Sequence, residues 1–109
     1  MALITLDEAR EYLRVDFHEE DALIGVLLAS SEKLCADVAR LSDEQRRAVN
    51  GDDSQSVYAE DTLQSVQDTM RVSVLYALAY LYEHREEADH HALTLTLRSL
   101  LFSLREGVV

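Results

Sequence analysis

The stretch from Val72 to Tyr82 constrains this chain more than any other: it is apolar but for Ser73, and it stops against Glu83, His84, Arg85, Glu86 and Glu87. A run that is apolar on nearly every side, then suddenly charged, is the pattern of a helix buried nearly all round by others and leaving the core at one end. Leu63, Val66, Met70, Val74, Ala77, Leu78 and Leu81 recur at helical spacing on one face, and Val72, Leu75, Tyr76, Ala79 and Tyr80 add a second. The spacing predicts a long central helix from Val57 or Asp61 to Glu87. A helix with two apolar faces needs flanking helices on both sides or a partner subunit.

The rest of the chain offers the flanking helices. Thr5 followed by Glu8 is a capping box, and it starts a short helix over residues 6 to 14 with Leu6, Ala9, Leu13 and, at the edge, Tyr12 on its apolar side. That helix should stop near Val15 to Phe17, where Asp16 and Glu19 are placed to cap a second one. From Glu19 to Leu41, Leu23, Leu27, Leu34, Val38 and Leu41 form a stripe that Ala22, Val26 and Ala29 widen. Gly25 within it reads equally well as a point of close helix approach or as a simply tolerated glycine. Ser42 with Gln45 repeats the capping pattern ahead of a brief helical turn over residues 43 to 49, Asn50-Gly51 supplies the stop, and residues 51 to 56 form a polar loop. A last helix, Ala92 to Arg105, carries Leu93, Leu97, Leu100, Leu101 and Leu104.

Together these elements predict an all-α fold, a small bundle of four main helices plus a short helical turn, as one domain over residues 1–109. The absence of proline and the scarcity of glycine argue against a turn-rich β fold. No segment is apolar for long enough to span a bilayer, and no basic-then-apolar leader opens the sequence, so a soluble, unsecreted protein is expected. With Cys35 as the sole cysteine, neither an intramolecular disulfide nor a thiolate metal site can form.

The formal net charge is -11, and the basic residues are scattered, so there is no stripe to neutralise nucleic-acid phosphates. The early acids Asp7, Glu8, Glu11, Asp16, Glu19, Glu20 and Asp21 read first as a solvated face. Catalytic chemistry finds little support: Ser30, Ser31 and Cys35 lie on a helix with no histidine near in sequence, and Cys35 is expected to pack as a small hydrophobe. Glu87 and His90, one helical turn apart with His84 and His91 nearby, make the best metal candidate, but no second such pair completes a bundle site. No catalytic, cofactor-binding or metal residue is therefore assigned.

Four blocks in order carry a resemblance. They are Ile4-Thr5-Leu6-Asp7-Glu8-Ala9-Arg10, Glu20-Asp21-Ala22-Leu23-Ile24, Leu81-Tyr82-Glu83-His84-Arg85-Glu86, and Leu100-Leu101-Phe102-Ser103-Leu104-Arg105. In sequence, order and separation they resemble the small head-tail connector (adaptor) proteins of tailed phages and prophages. The chain departs from that family's pattern in the middle, where Ala39-Arg40 and a longer polar insert replace a Thr-Gly-Arg-like turn, and the frequent proline before the core helix is missing.

The resemblance implies a non-enzymatic, structural protein of the virion neck, present in the host cytoplasm during assembly. It implies a closed ring of copies, about twelve- or thirteen-fold, docked beneath the portal protein, with a stopper or tail-completion protein on the other face. DNA would pass through the lumen without specific binding, no membrane being involved, and an acidic lining would help the duplex slide. Candidate interface residues are Tyr76, Tyr80, Tyr82 and Arg85 at the end of the core helix, and Leu100, Leu101, Leu104 and Arg105 near the C-terminus. Two other readings fit the residues: a small acidic helical regulator of a basic protein partner, and a metal-dependent enzyme built on Glu87 and His90.

Overall fold

The computed structural model describes residues 3–51, 58, 60–84 and 90–104. The side chains at positions 60, 61, 90, 91 and 103 lie outside that description. The described residues form α1 (Leu6–Leu13), α2 (Asp21–Val38), α3 (Asp43–Val49), α4 (Glu60–Glu83) and α5 (His90–Leu101), closed by a 3₁₀ turn over Phe102–Leu104. No strand occurs among them, and the fold is the expected small all-α bundle around a long helix.

Both predicted capping boxes are present. The Thr5 hydroxyl accepts from the Glu8 N–H at 3.1 Å while the Glu8 carboxylate accepts from the Thr5 N–H at 3.1 Å. Ser42 and Gln45 do the same for α3, at 3.2 and 2.8 Å. Each box satisfies backbone donors that have no partner within the helix. α1 ends as Arg14 turns left-handed, φ 59°, and α3 ends at Asn50 followed by Gly51 at φ 74°, where glycine carries no Cβ penalty.

α4 packs against α1, α2, α3 and α5, with α2 its most extensive partner. Its predicted main face is the core: Val66, Met70, Val74, Ala77, Leu78 and Leu81 are buried, together with Leu93, Leu97 and Leu101 of α5 and Ile4 ahead of α1. Burial of these side chains is the main stabilising term.

Several expectations are corrected. The second helix is capped neither by Asp16 nor by Glu19: its N-cap residue is Glu20, without a side-chain cap bond. Asp21 is engaged instead, its carboxylate 3.0 Å from His18 Nδ1 and 3.2 Å from Arg10 Nε. The buried side of α2 is Ile24, Leu28, Ser31 and Cys35, rotated from the predicted stripe, whose Leu23, Leu27, Leu34 and Val38 are only partly buried. Ala22, Val26 and Ala29 face outward, Val26 being 64% exposed. A Cβ on Gly25 would meet nothing within 4 Å, so no helix approaches closely there. The Val72–Tyr82 run is not buried all round either: Val72 is 60% and Tyr76 40% exposed.

Candidate interaction surface

Helix lengths locate the exposed Val72. α4 has 24 residues and α5 has 12, which at 1.5 Å per residue gives axes of about 36 and about 18 Å. α5 runs back along α4 and ends half-way, where Leu100 and Val72 line the same groove. Val72 stands at this end of α5, and there part of the second apolar face of α4 stays exposed. A shallow groove of about 260 Å³ forms there, lined by Asp68, Thr69, Val72, Ser73 and Leu100. Ser73 needs no outside partner, because its hydroxyl donates to the Thr69 carbonyl at 2.9 Å. One turn along α4 from Val72 stands exposed Tyr76, and exposed Phe102 lies in the closing turn after α5.

The expected interface residues divide accordingly. Tyr76 and Leu100 present surface. Tyr80 is half-buried, stacks on His84 with ring centroids 4.4 Å apart, and packs against the core. Tyr82 donates its hydroxyl to Glu20 at 2.7 Å, tying the end of α4 to the residue ahead of α2. Leu101 is fully buried between α5 and the core, so it offers a partner no surface, and Leu104 is partly buried against the same cluster. Leu101 follows from Leu97 by one helical turn, which puts it on the core side, whereas Leu100 is one position short of that line. Arg85 and Arg105 lie outside the described residues, as do Glu87 and the side chains of His90 and His91.

An arginine that sequence reasoning passed over fixes the helix junction near α1. Arg71 Nη1 donates to the Leu3 carbonyl at 2.6 Å, and Nη2 pairs with the Glu8 carboxylate. The same carboxylate caps α1, so a single Glu–Arg contact joins the start of the chain to the middle of α4. The Arg71 hydrogen bond, helped by the Thr5 N–H, holds the Glu8 carboxyl below its ordinary range. The one signal for this role was a charge placed immediately ahead of the apolar run that opens at Val72.

The nucleophile-type side chains sit in packing roles. Ser31 donates to the Leu27 carbonyl at 2.8 Å, and Cys35 is fully buried. Burial, with the negative charge of Glu32 adding to it, pushes the Cys35 thiol up to about 12, so it stays protonated and unreactive. Among the described residues no group of three or more His, Cys, Asp or Glu side chains is placed to hold a metal ion. Among them, too, no helix is long and apolar enough to cross a membrane.

An all-α bundle with two capping boxes, a long central helix and an uncovered apolar strip is the setting in which the sequence comparisons fall. The family model for the phage gp6-like head-tail connector protein matches residues 3–106. The chain belongs to that family. The match covers all five helices of this connector and the closing turn. Family membership makes it a structural protein of the phage virion, at the junction of head and tail, whose partners are portal and tail proteins. No curated protein and no solved structure matches it.

Proposed function

We propose that this connector acts as one domain that assembles, copy against copy, into a closed ring beneath the portal and receives the stopper or tail-completion protein on its other face. The role is one of contact rather than catalysis, with no cofactor. The DNA passes through the ring without being bound specifically, and the excess of Asp and Glu over Lys and Arg suits a channel along which phosphates must slide. The protein is made in the host cytoplasm and ends in the virion.

Family membership over residues 3–106 carries this reading. The groove at Val72 and Leu100, with Tyr76 beside it, supports it further, since a neighbouring subunit would bury apolar side chains that the chain leaves in water.

The test mixes the protein with the portal protein encoded beside it, followed by pull-down and negative-stain electron microscopy. The expected result is a ring capping the portal for the wild type and loss of that ring for Val72→Asp, with the helical signal of the variant unchanged. Absence of any portal complex, with the portal itself intact, would refute the reading and favour an acidic regulator of some other basic partner. The protein being a monomer on its own would not bear on the outcome, because the portal can template the ring.

A further inference from the structure

Among the described residues, a second place with unmet polar chemistry lies away from the groove, where α2, α3 and α4 meet. A cavity of about 210 Å³ opens there, floored by Leu3, Ala36, Val49, Met70 and Val74 and edged by Glu32, Lys33, Arg46 and Asn50. The charged side chains at its edge are not equivalent. Lys33 reaches Asp37 at 3.0 Å, and Arg46 also pairs with Asp37, so both cations are turned to the same exposed carboxylate. Glu32 makes no hydrogen bond or ion pair among the described residues, although it is half-buried. Burial holds its carboxyl above the ordinary range, and neither Lys33 nor Arg46 offsets that. Arg46, for its part, keeps a buried Nε–H that has no acceptor among the described residues.

Around the apolar floor, among the described residues, stand one half-buried carboxylate that only water reaches and one buried donor without an acceptor. A half-buried carboxylate solvated on one side only is less stable than a free one, and a cation delivered on an apolar stem offsets that while filling the cavity. Arginine fits best: its methylenes can lie on the aliphatic floor, and its planar guanidinium matches a carboxylate with two parallel hydrogen bonds. A peptide carbonyl beside that arginine is the acceptor the Arg46 Nε–H lacks. We propose that this cavity is a docking site for an arginine side chain carried by a segment of a partner protein, with Glu32 as the residue that selects it. The connector's net charge of -11 steers such a basic segment toward it. The site is distinct from the Val72 groove and does not depend on the ring.

The test uses two peptides and the ¹⁵N-labelled protein. The probes are acetyl-leucyl-arginyl-leucinamide and its citrulline counterpart, which has the same shape without the charge, titrated while amide shifts are followed. The arginyl peptide should move the amides of Glu32, Ala36 and Val49 saturably, and the citrulline peptide should bind at least tenfold more weakly. Glu32→Gln should reduce the arginyl peptide to the citrulline level, whereas Glu44→Gln, on the exposed side of α3, should leave it unchanged. Equal binding of the two peptides by the wild type, or no shift with either, overturns the proposal without recourse to any variant. Sedimentation velocity of the wild type and Glu32→Gln adds the remaining arm. Self-association that needs Glu32, and that the arginyl peptide does not compete, would make a second copy the occupant and overturn the assignment to another protein.

Discussion

Replacing Arg71 by methionine should destabilise the fold by about 1.5–2 kcal/mol, and the two parts of that loss can be separated by pH. Methionine keeps a long, unbranched side chain of good helix propensity, so the change removes the guanidinium and little else. The Glu8 pair is 36% and 40% exposed at its two side chains. Solvent screening therefore limits it to about 0.5 kcal/mol. The hydrogen bond to the Leu3 carbonyl has a charged donor in a partly buried setting, and contributes about 1–1.5 kcal/mol. For a domain of this size the sum lowers Tm by roughly 6–8 °C.

Because Arg71, and then the Thr5 N–H, depress the Glu8 carboxyl, the folded state holds that proton less tightly than the unfolded state. The stabilisation is complete above the unfolded value of about 4.3 and is lost as pH falls through the lower, folded-state value. Urea unfolding followed by far-ultraviolet circular dichroism, on the wild type, Arg71→Met, Glu8→Gln and the double variant, gives the cycle. Glutamine still accepts the Thr5 N–H, so the capping box survives while the charge is gone. The expected coupling is about 0.5 kcal/mol at neutral pH and near zero once Glu8 is protonated, with the Leu3 part unchanged. A coupling of the same size in acid, or a total loss for Arg71→Met under about 0.5 kcal/mol, would refute the account.

Three further changes read other parts of the fold. Leu78→Ala, at a position with no exposed surface, should cost about 2–5 kcal/mol in the same urea titration because it leaves a cavity between α4 and its neighbours. Gly25→Ala should stabilise by about 0.5–1 kcal/mol, since the added methyl meets no atom within 4 Å and the helix interior gains a better former. Loss of stability there would mean that the residue serves a close contact after all. Cys35, with its thiol pushed up to about 12, should resist an aromatic disulfide reagent at mildly alkaline pH and react only as urea opens the protein. Prompt reaction of the native protein would contradict its burial.

What the sequence made legible is what acts over short distances. The two capping boxes bond residues three apart, and the stop at Asn50-Gly51 is equally local, so residue types and spacing suffice. The main face of α4 was also legible, because its apolar positions repeat over about five turns, from Leu63 to Leu81. α2 was harder. Its apolar residues cover a wide arc, so the stripe through Leu23 and Leu27 and the one through Ile24 and Leu28 have equal claim. Ser31 disguised the true one by hiding its hydroxyl on the Leu27 carbonyl. The ties between distant residues left no pattern at all: Arg71 with Glu8 and Tyr82 with Glu20 join positions 63 and 62 residues apart.

The candidate surface was half legible for the same reason. Val72 and Tyr76 announce a second apolar face on α4, but a face covered by a helix of the same chain and one left for a neighbour have the same sequence. What separates them is the exposure of Val72 and Tyr76 in the folded chain. Leu100 stands at the end of α5 and, with Val72, lines one groove. Leu100 and Leu101 are adjacent in sequence and alike in chemistry, but one lines the groove and the other is fully buried. Leu101→Ala should lower stability by about 2–5 kcal/mol whether or not a partner is present. Leu100→Ala should cost the isolated chain less, about 1 kcal/mol, because its side chain is 37% exposed, and should weaken assembly on the portal besides. If both substitutions acted on stability alone, the groove would be an edge of the core rather than a place for a neighbour.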